Sequence, residues 1–457
     1  MKLDFEKLSP REKQMATANI PKLVLSYSIP TVIGMLMAAL YVVVDRFFVA
    51  RIYGVGDDAL TGVGLAAPVM LVLGAFALLI GVGSAANISI RLGKGDREGA
   101  EKVLGNAFTL NIIVSVVLGI ITLIFLEPLL IAFGASEYTL PFADTYTRIK
   151  VYGVVIMFIS FAMNHPIRAA GNAKRFASAQ LLGAILNIGL NPLFIFTFDM
   201  GIAGAGWSTV LAQAISATWV MLYYFRGKPA IRLRLPNLKL ETKIIASIAS
   251  IGIAPFFMQI LGSAIVIIAN TTLRYFGGDA AIGAFAVITS ITALFVMPIF
   301  GIAQGSQPII GFNYGMGDMS RVKTAYIYSA LYAVIICTIG LIFIVTMPGW
   351  IMRQFAEDPE IIALGTTGLR IVALTMPVAA FQMNASTFFM AIGRAKISVL
   401  LSVSRQGLLL IPLYFILPRF FGLEGIWWAT PIADLLAFTL ALFMILRELK
   451  RINAQPA

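Results

Sequence analysis

The sequence predicts an all-α polytopic membrane protein, with twelve transmembrane helices in two parallel-repeat six-helix lobes around a central cleft. Three observations lead there: the composition, twelve long apolar runs, and a set of motifs that recurs about 222 residues later. Of 457 residues, 59% are apolar and 12% charged, and the mean hydropathy is +0.90. A soluble chain carries roughly twice that share of charge, and it needs a polar coat that this composition cannot supply. A soluble enzyme, a disordered chain and a disulfide-stapled domain are excluded. Cys337 is the one cysteine and His165 the one histidine, so no thiolate or histidine metal centre is expected. The net charge of +12 suggests nucleic acid only if it gathers on a polar surface. Here the basic residues punctuate apolar runs, which argues for topology and against a nucleic-acid partner.

A helix needs about 20 apolar residues to cross the hydrocarbon core. The runs that qualify are 23–50, 59–90, 104–134, 142–168, 176–198, 202–225, 244–274, 280–311, 324–347, 360–391, 397–418 and 425–446. A β-barrel would show alternating segments of about ten residues instead. Placing both termini and every even-numbered loop on one side collects 25 of the 34 basic residues there, against four on the other. Both termini are therefore expected in the cytoplasm and the chain in the inner (plasma) membrane. The expected segments are 1–22, a cytoplasmic N-terminal stretch; 23–225 and 244–446, the lobes; 226–243, a basic cytoplasmic linker; and 447–457, a cytoplasmic tail. Within 1–22, Ser9-Pro10-Arg11-Glu12 has the spacing of a capping box opening a short surface helix.

The halves repeat. "GSAANISIRLGKGD" (83–96) matches "GSQPIIGFNYGMGD" (305–318), "AAGNAK" (169–174) matches "AIGRAK" (391–396), "GIAGAGWST" (201–209) matches "GLEGIWWAT" (422–430), and Pro30 pairs with Pro255. An even number of spans per repeat makes the copies parallel, related by an axis along the membrane normal. A channel gathers its pore from several subunits; one duplicated chain suits a monomeric transporter working by alternating access.

Charges at membrane depth are costly and mark function. Asp45 lies in the first span and Asp434 in the twelfth. Asp144 and Arg148, one turn apart, read as a structural ion pair, and Lys150 is close enough to a span end to snorkel. Arg46 points away from Asp45. Asn187 and Asn191, four residues apart, put two amides on one helix face. Pro192 frees backbone carbonyls beside them, and Thr209 adds a hydroxyl. Such a group supplies oxygens to a cation or hydrogen bonds to a carboxyl. Asp45 aligns with Asn270 across the repeat, so ion coupling is expected in the N-terminal lobe alone. Asp434 aligns with Gln213 and reads better as a paired packing residue. Met35, Met37, Tyr41, Phe256, Phe257, Met258 and Gln259 are candidates to line the cleft, since methionine adapts its shape and aromatic faces attract cations. Met35, Tyr41 and Gln259 are carried forward from that set.

"VVDRFFVARIYG", "IRAAGNAKR", "NIGLNPLFIF" and "GIAGAGWSTVLAQ" together resemble the multidrug and toxic compound extrusion (MATE) family, with the nearer likeness to its DinF- and MepA-like prokaryotic branch. The resemblance covers nearly the whole chain. It implies antiport: cationic or amphiphilic small molecules leave while protons or sodium ions enter, with no cofactor. It assigns the coupling carboxylate to Asp45, a tyrosine and an asparagine of the fourth helix to Tyr146 and Asn164, and partner positions to Asn187 and Thr209. The family's second carboxylate falls at Asn191, an amide here, so a proton-sharing pair of acids is absent and the driving ion stays open between proton and sodium. The rivals are a flippase for lipid-linked precursors and a membrane enzyme. The first needs a more basic cavity or extra spans, and the second needs paired acids or a histidine cluster.

Overall fold

A computed structural model describes residues 8–227 and 229–453, so Lys228 of the linker and the outermost parts of the two terminal segments lie outside it. The described chain is helical. In order come α1 (Pro10–Thr17), α2 (Ile20–Val49), α3 (Gly56–Gly93), α4 (Arg97–Ile124), α5 (Leu126–Ala132), α6 (Leu140–Tyr152), α7 (Val154–Ala162), α8 (Asn164–Ala169), α9 (Ala173–Pro192) and α10 (Gly201–Arg226). Then follow α11 (Thr242–Met316), α12 (Met319–Thr346), α13 (Pro348–Arg353), α14 (Pro359–Ala373), α15 (Met376–Ala391), α16 (Ala395–Val403) and α17 (Ile411–Asn453).

Seven helical stretches are long and apolar enough to cross a membrane, and two bent pairs pass the same test together. Two of the seven, α11 and the run from Ala395 to Ile452, are broken in the middle at Gly278 (φ 65°, ψ −161°) and Gly422 (φ 56°, ψ −138°). Those angles are open to glycine and strained for any residue with a Cβ. Each of the two therefore holds two spans. α10 is not among those stretches but has 26 residues, about 39 Å at 1.5 Å per residue, so a helix lies at each of the twelve expected spans of this multi-pass membrane protein.

Two of the spans are bent. The fourth bends by 59° between α6 and the α7–α8 pair, and the tenth by 50° between α14 and α15. Pro377, in the first turn of α15, has no N–H to give to the Ala373 carbonyl four residues back and its ring crowds that carbonyl, which ends α14 there. The capping box forms as expected: Ser9 N–H donates to Glu12 Oε2 at 2.6 Å and Glu12 N–H to Ser9 Oγ at 3.4 Å.

The repeat is visible in the backbone. Gly95 and Gly317, in the matching "GKGD" and "GMGD" turns, both take positive φ. The aspartate after each caps the next helix, Asp96 accepting from Gly99 N–H and Asp318 from Arg321 N–H, as short polar side chains do at N-caps.

The chain divides into two compact units. One gathers Ile33–Gly252 with the stretch up to Gln14; the other gathers Met15–Val32 with the chain from Ile253 onward. The first helix of each repeat, α2 and the opening of α11, is divided between the units. The opening turns of α2 pack in the second unit, where a Cβ on Gly305 would sit 2.7 Å from Ser28 Cα. The opening turns of α11 pack in the first unit, where a Cβ on Gly83 would sit 2.2 Å from Ile248 O. Gly83 and Gly305 are repeat equivalents, so the same close crossing occurs in each unit and requires a residue with no side chain. Pro30 and Pro255, the matched prolines, lie within three residues of the two divisions.

Candidate functional site

In the first unit α2, α6, α9 and α10 bring six polar side chains to one buried point. Asp45 is 4% exposed. Its Oδ2 accepts from the Tyr146 hydroxyl at 2.8 Å, and its Oδ1 accepts from the Asn191 amide at 3.0 Å. The same Asn191 nitrogen donates to Asn187 Oδ1 at 3.2 Å, and Asn187 in turn donates to Thr209 Oγ1 at 3.1 Å. The single Ser208 hydroxyl proton is shared between the side-chain Oδ1 of Asn191 and the backbone Ala205 O. An apolar shell of Val49, Ala59, Val63, Ala66, Ile195 and Ala205 packs with the Tyr146 ring around this network.

Local sequence explains the arrangement. Asn187 and Asn191 sit one turn apart on α9, and Pro192 cannot donate to the helical ladder. The next five residues, Leu193–Thr197, widen into a π-helical turn, a feature that recurs at functional sites. Ser208 and Thr209, consecutive on α10, face Asn191 and Asn187 because those two amides are themselves displaced along α9 by a turn. Asp45 thus receives one phenolic O–H and one amide N–H, both neutral. A carboxylate is satisfied by two such donors; a protonated carboxyl would need one of them to become an acceptor.

The structure places the expected residues as follows. Asp45, Tyr146, Asn187, Asn191 and Thr209 form one network. Tyr41, half-buried one turn before Asp45, shares its helix face. Met35 is half-buried higher on α2, and Gln259 is half-buried on α11 in the second unit, where its carbonyl accepts from Ser263. Asn164 is not part of the network. Completely buried in α8, it donates to Phe176 O at 3.0 Å, which ties the short helix to α9. Lys150 does not simply snorkel: its ammonium donates to the Tyr146 hydroxyl at 3.2 Å, one hydrogen bond behind Asp45. Arg46 is exposed, and Arg148 grips Asp144 through two bonds of 2.6 and 2.9 Å, both as expected.

Two participants carried no sequence signal strong enough to single them out. Ser208 is the neighbour of the expected Thr209. Arg405, inside the eleventh span, donates its Nε to Asp434 Oδ1 at 2.6 Å, while Thr375 donates to Oδ2 at 3.1 Å. That pairing fits the packing role expected of Asp434. No group of three or more acid, histidine or cysteine side chains that could hold a metal occurs among the described residues.

The comparisons follow the same lines. The family model MatE matches residues 30–193 and again 254–416, one match per repeat. The chain is 25% identical over 446 residues to the multidrug export protein MepA of Staphylococcus haemolyticus, covering 96% of each. It superposes with a TM-score of 0.92 on a multidrug resistance MATE family transporter of the MOP superfamily in an outward-facing conformation. There it is 25% identical and covers 98% of this chain and 100% of that one. The same identity, coverage and score relate it to a MOP superfamily transporter of Pyrococcus furiosus whose binding pocket is described as reversed in polarity. With both halves matched and the whole length aligned, the resemblance read from the motifs holds, and the chain belongs to the MatE family, a family of transporters and not of enzymes.

Proposed function

We propose that this protein is a secondary active exporter of cationic or amphiphilic small molecules, driven by the inward movement of protons or sodium ions through the Asp45 network. The observation that carries the reading is a buried carboxylate whose partners, Tyr146 and Asn191, are both neutral and can both exchange a donor for an acceptor. The relatives named as multidrug exporters support the substrate class.

A coupling ion drives a cycle only by binding one state better than another. As arranged, with a donor on each carboxyl oxygen, the network suits the carboxylate form of Asp45. A proton on Asp45 would face the Asn191 N–H or the Tyr146 O–H. Tyr146 can turn its hydroxyl toward Lys150 only by competing with the ammonium that already donates to it. Asn191 can turn its amide over, which presents its oxygen to Asp45 and breaks the bond from Ser208. Sodium demands the same reversal: a hard cation takes oxygen ligands, and Asp45, Asn187, Asn191 and Thr209 supply four. Either ion therefore flips the Asn191 amide and changes how α9 and α10 are held to α2. Pro30 gives α2 a place to bend. The membrane potential adds about 2.3 kcal/mol per charge per 100 mV to inward ion movement.

The test is export of an organic cation such as ethidium from proteoliposomes under separately imposed proton and sodium gradients. At least one of the two gradients should drive export, and dissipating it should stop it. Equal rates with and without any ion gradient would end the proposal.

A further inference from the structure

The C-terminal end of the molecule carries a second polar site with no part in the Asp45 network. A cavity of about 420 Å³ is lined by Arg394, Ile397, Met444, Arg447, Glu448 and Arg451, within the roughly 300–1,000 Å³ range of small-ligand sites. Met444, Arg447, Glu448 and Arg451 follow the i, i+3, i+4, i+7 spacing of one helix face on α17. Arg394 and Ile397 come from the start of α16. Glu448, 6% exposed, holds Arg394 at 3.1 Å, while Arg447 and Arg451 form no ion pair among the described residues. Three arginines against one glutamate leave the lining with a net charge of +2.

The surroundings say where this site sits. Phe443, one turn before Arg447, and Leu446, directly before it, are 60% and 51% exposed, and Leu400 on α16 is 40% exposed. Large apolar side chains bare to that degree on a membrane-spanning helix face acyl chains. The arginines begin within one turn of that apolar surface, the spacing between a lipid's acyl chains and its phosphate. Ile397 and Met444 give the cavity an apolar wall beneath its charged rim. Guanidinium pairs with phosphate oxygens through two parallel hydrogen bonds, and basic pockets between helices at this depth suit lipid head groups.

We infer that the Arg394–Arg447–Arg451 cavity binds the phosphodiester head group of one anionic phospholipid, with its acyl chains laid along Leu400, Phe443 and Leu446. The site does not depend on which ion drives transport. A free phosphate shares the head-group chemistry but gains nothing from the apolar wall, so lipid and ion are separable.

Native mass spectrometry of the full chain in detergent reads the outcome, with phosphatidylglycerol, phosphatidylcholine and inorganic phosphate supplied separately. The parent should retain one phosphatidylglycerol in preference to phosphatidylcholine. Each arginine near a head group changes affinity about fivefold, so R447Q with R451Q should weaken retention about twenty-five-fold. The exposed pair K94Q with R97Q, equal in charge, should leave it unchanged. E448Q removes the opposing acid and should tighten retention about fivefold, a gain that misfolding cannot mimic. Three results would overturn the inference: equal loss in the two charge-matched pairs, unaltered or weaker retention in E448Q, or displacement of the lipid by an equal concentration of inorganic phosphate.

Discussion

Each unit buries one aspartate within a span, Asp45 near the end of α2 and Asp434 midway along the twelfth, and the two are held in opposite ways. Asp45 is 4% exposed and rests on a phenol and an amide; Asp434 is 3% exposed and rests on the guanidinium of Arg405 with a threonine hydroxyl. An arginine does not give up its proton, so the second carboxylate has a fixed counter-charge and one stable arrangement. The first has partners that are neutral and reversible. Burial alone therefore does not mark a coupling site; the chemistry of the partners does.

Five variants, four single and one double, break or sharpen this contrast. Asp45→Asn removes the ionisable group while keeping an isosteric side chain, and it should abolish gradient-driven efflux with the folded protein still recovered, as monodisperse elution in detergent will show. Arg405→Met strands Asp434 without its counter-charge. Breaking one partner of a buried pair costs up to about 3–5 kcal/mol, so the variant should unfold at markedly lower temperature. Joint replacement, Arg405→Met with Asp434→Leu, removes both charges and should return thermal stability close to that of the parent with efflux intact. Tyr146→Phe deletes one hydrogen bond to a charged group, about 1.5–3 kcal/mol, and disconnects Lys150. Efflux should fall without vanishing, because Asn191 still holds the carboxylate. Ser208→Ala should have the smallest effect, about 0.5–1.5 kcal/mol in thermal stability. By freeing the Asn191 carbonyl, it should also lower the ion concentration needed for half-maximal efflux.

Much of this was legible before any coordinates. Continuous apolar runs gave the spans, because a bilayer leaves the backbone few alternatives. The "GKGD" and "GMGD" turns announced the repeat because each uses a left-handed glycine and a capping aspartate. Asp45, Asn187, Asn191 and Thr209 stood out because polar groups at membrane depth need partners. What sequence could not supply was rotation about each helix axis. Asn164 and Tyr146 lie in one bent span, yet Asn164 sits beyond the bend between α6 and α7 and turns to Phe176. Arg405 and Asp434 are 29 residues apart across the break at Gly422; neither periodicity nor the repeat, which puts Gln213 opposite Asp434, could pair them. The exchange of the opening turns of α2 and α11 between the units likewise follows from packing at Gly83 and Gly305, not from span boundaries.

The most direct measurement of the central claim sets Asp45→Asn beside the Arg405→Met, Asp434→Leu double variant in the same proteoliposomes, reading cation efflux against a proton and then a sodium gradient. The account predicts no gradient-driven efflux from the first and near-parental efflux from the second. Parental efflux from Asp45→Asn, or its loss only when the Arg405–Asp434 pair is replaced, would contradict it.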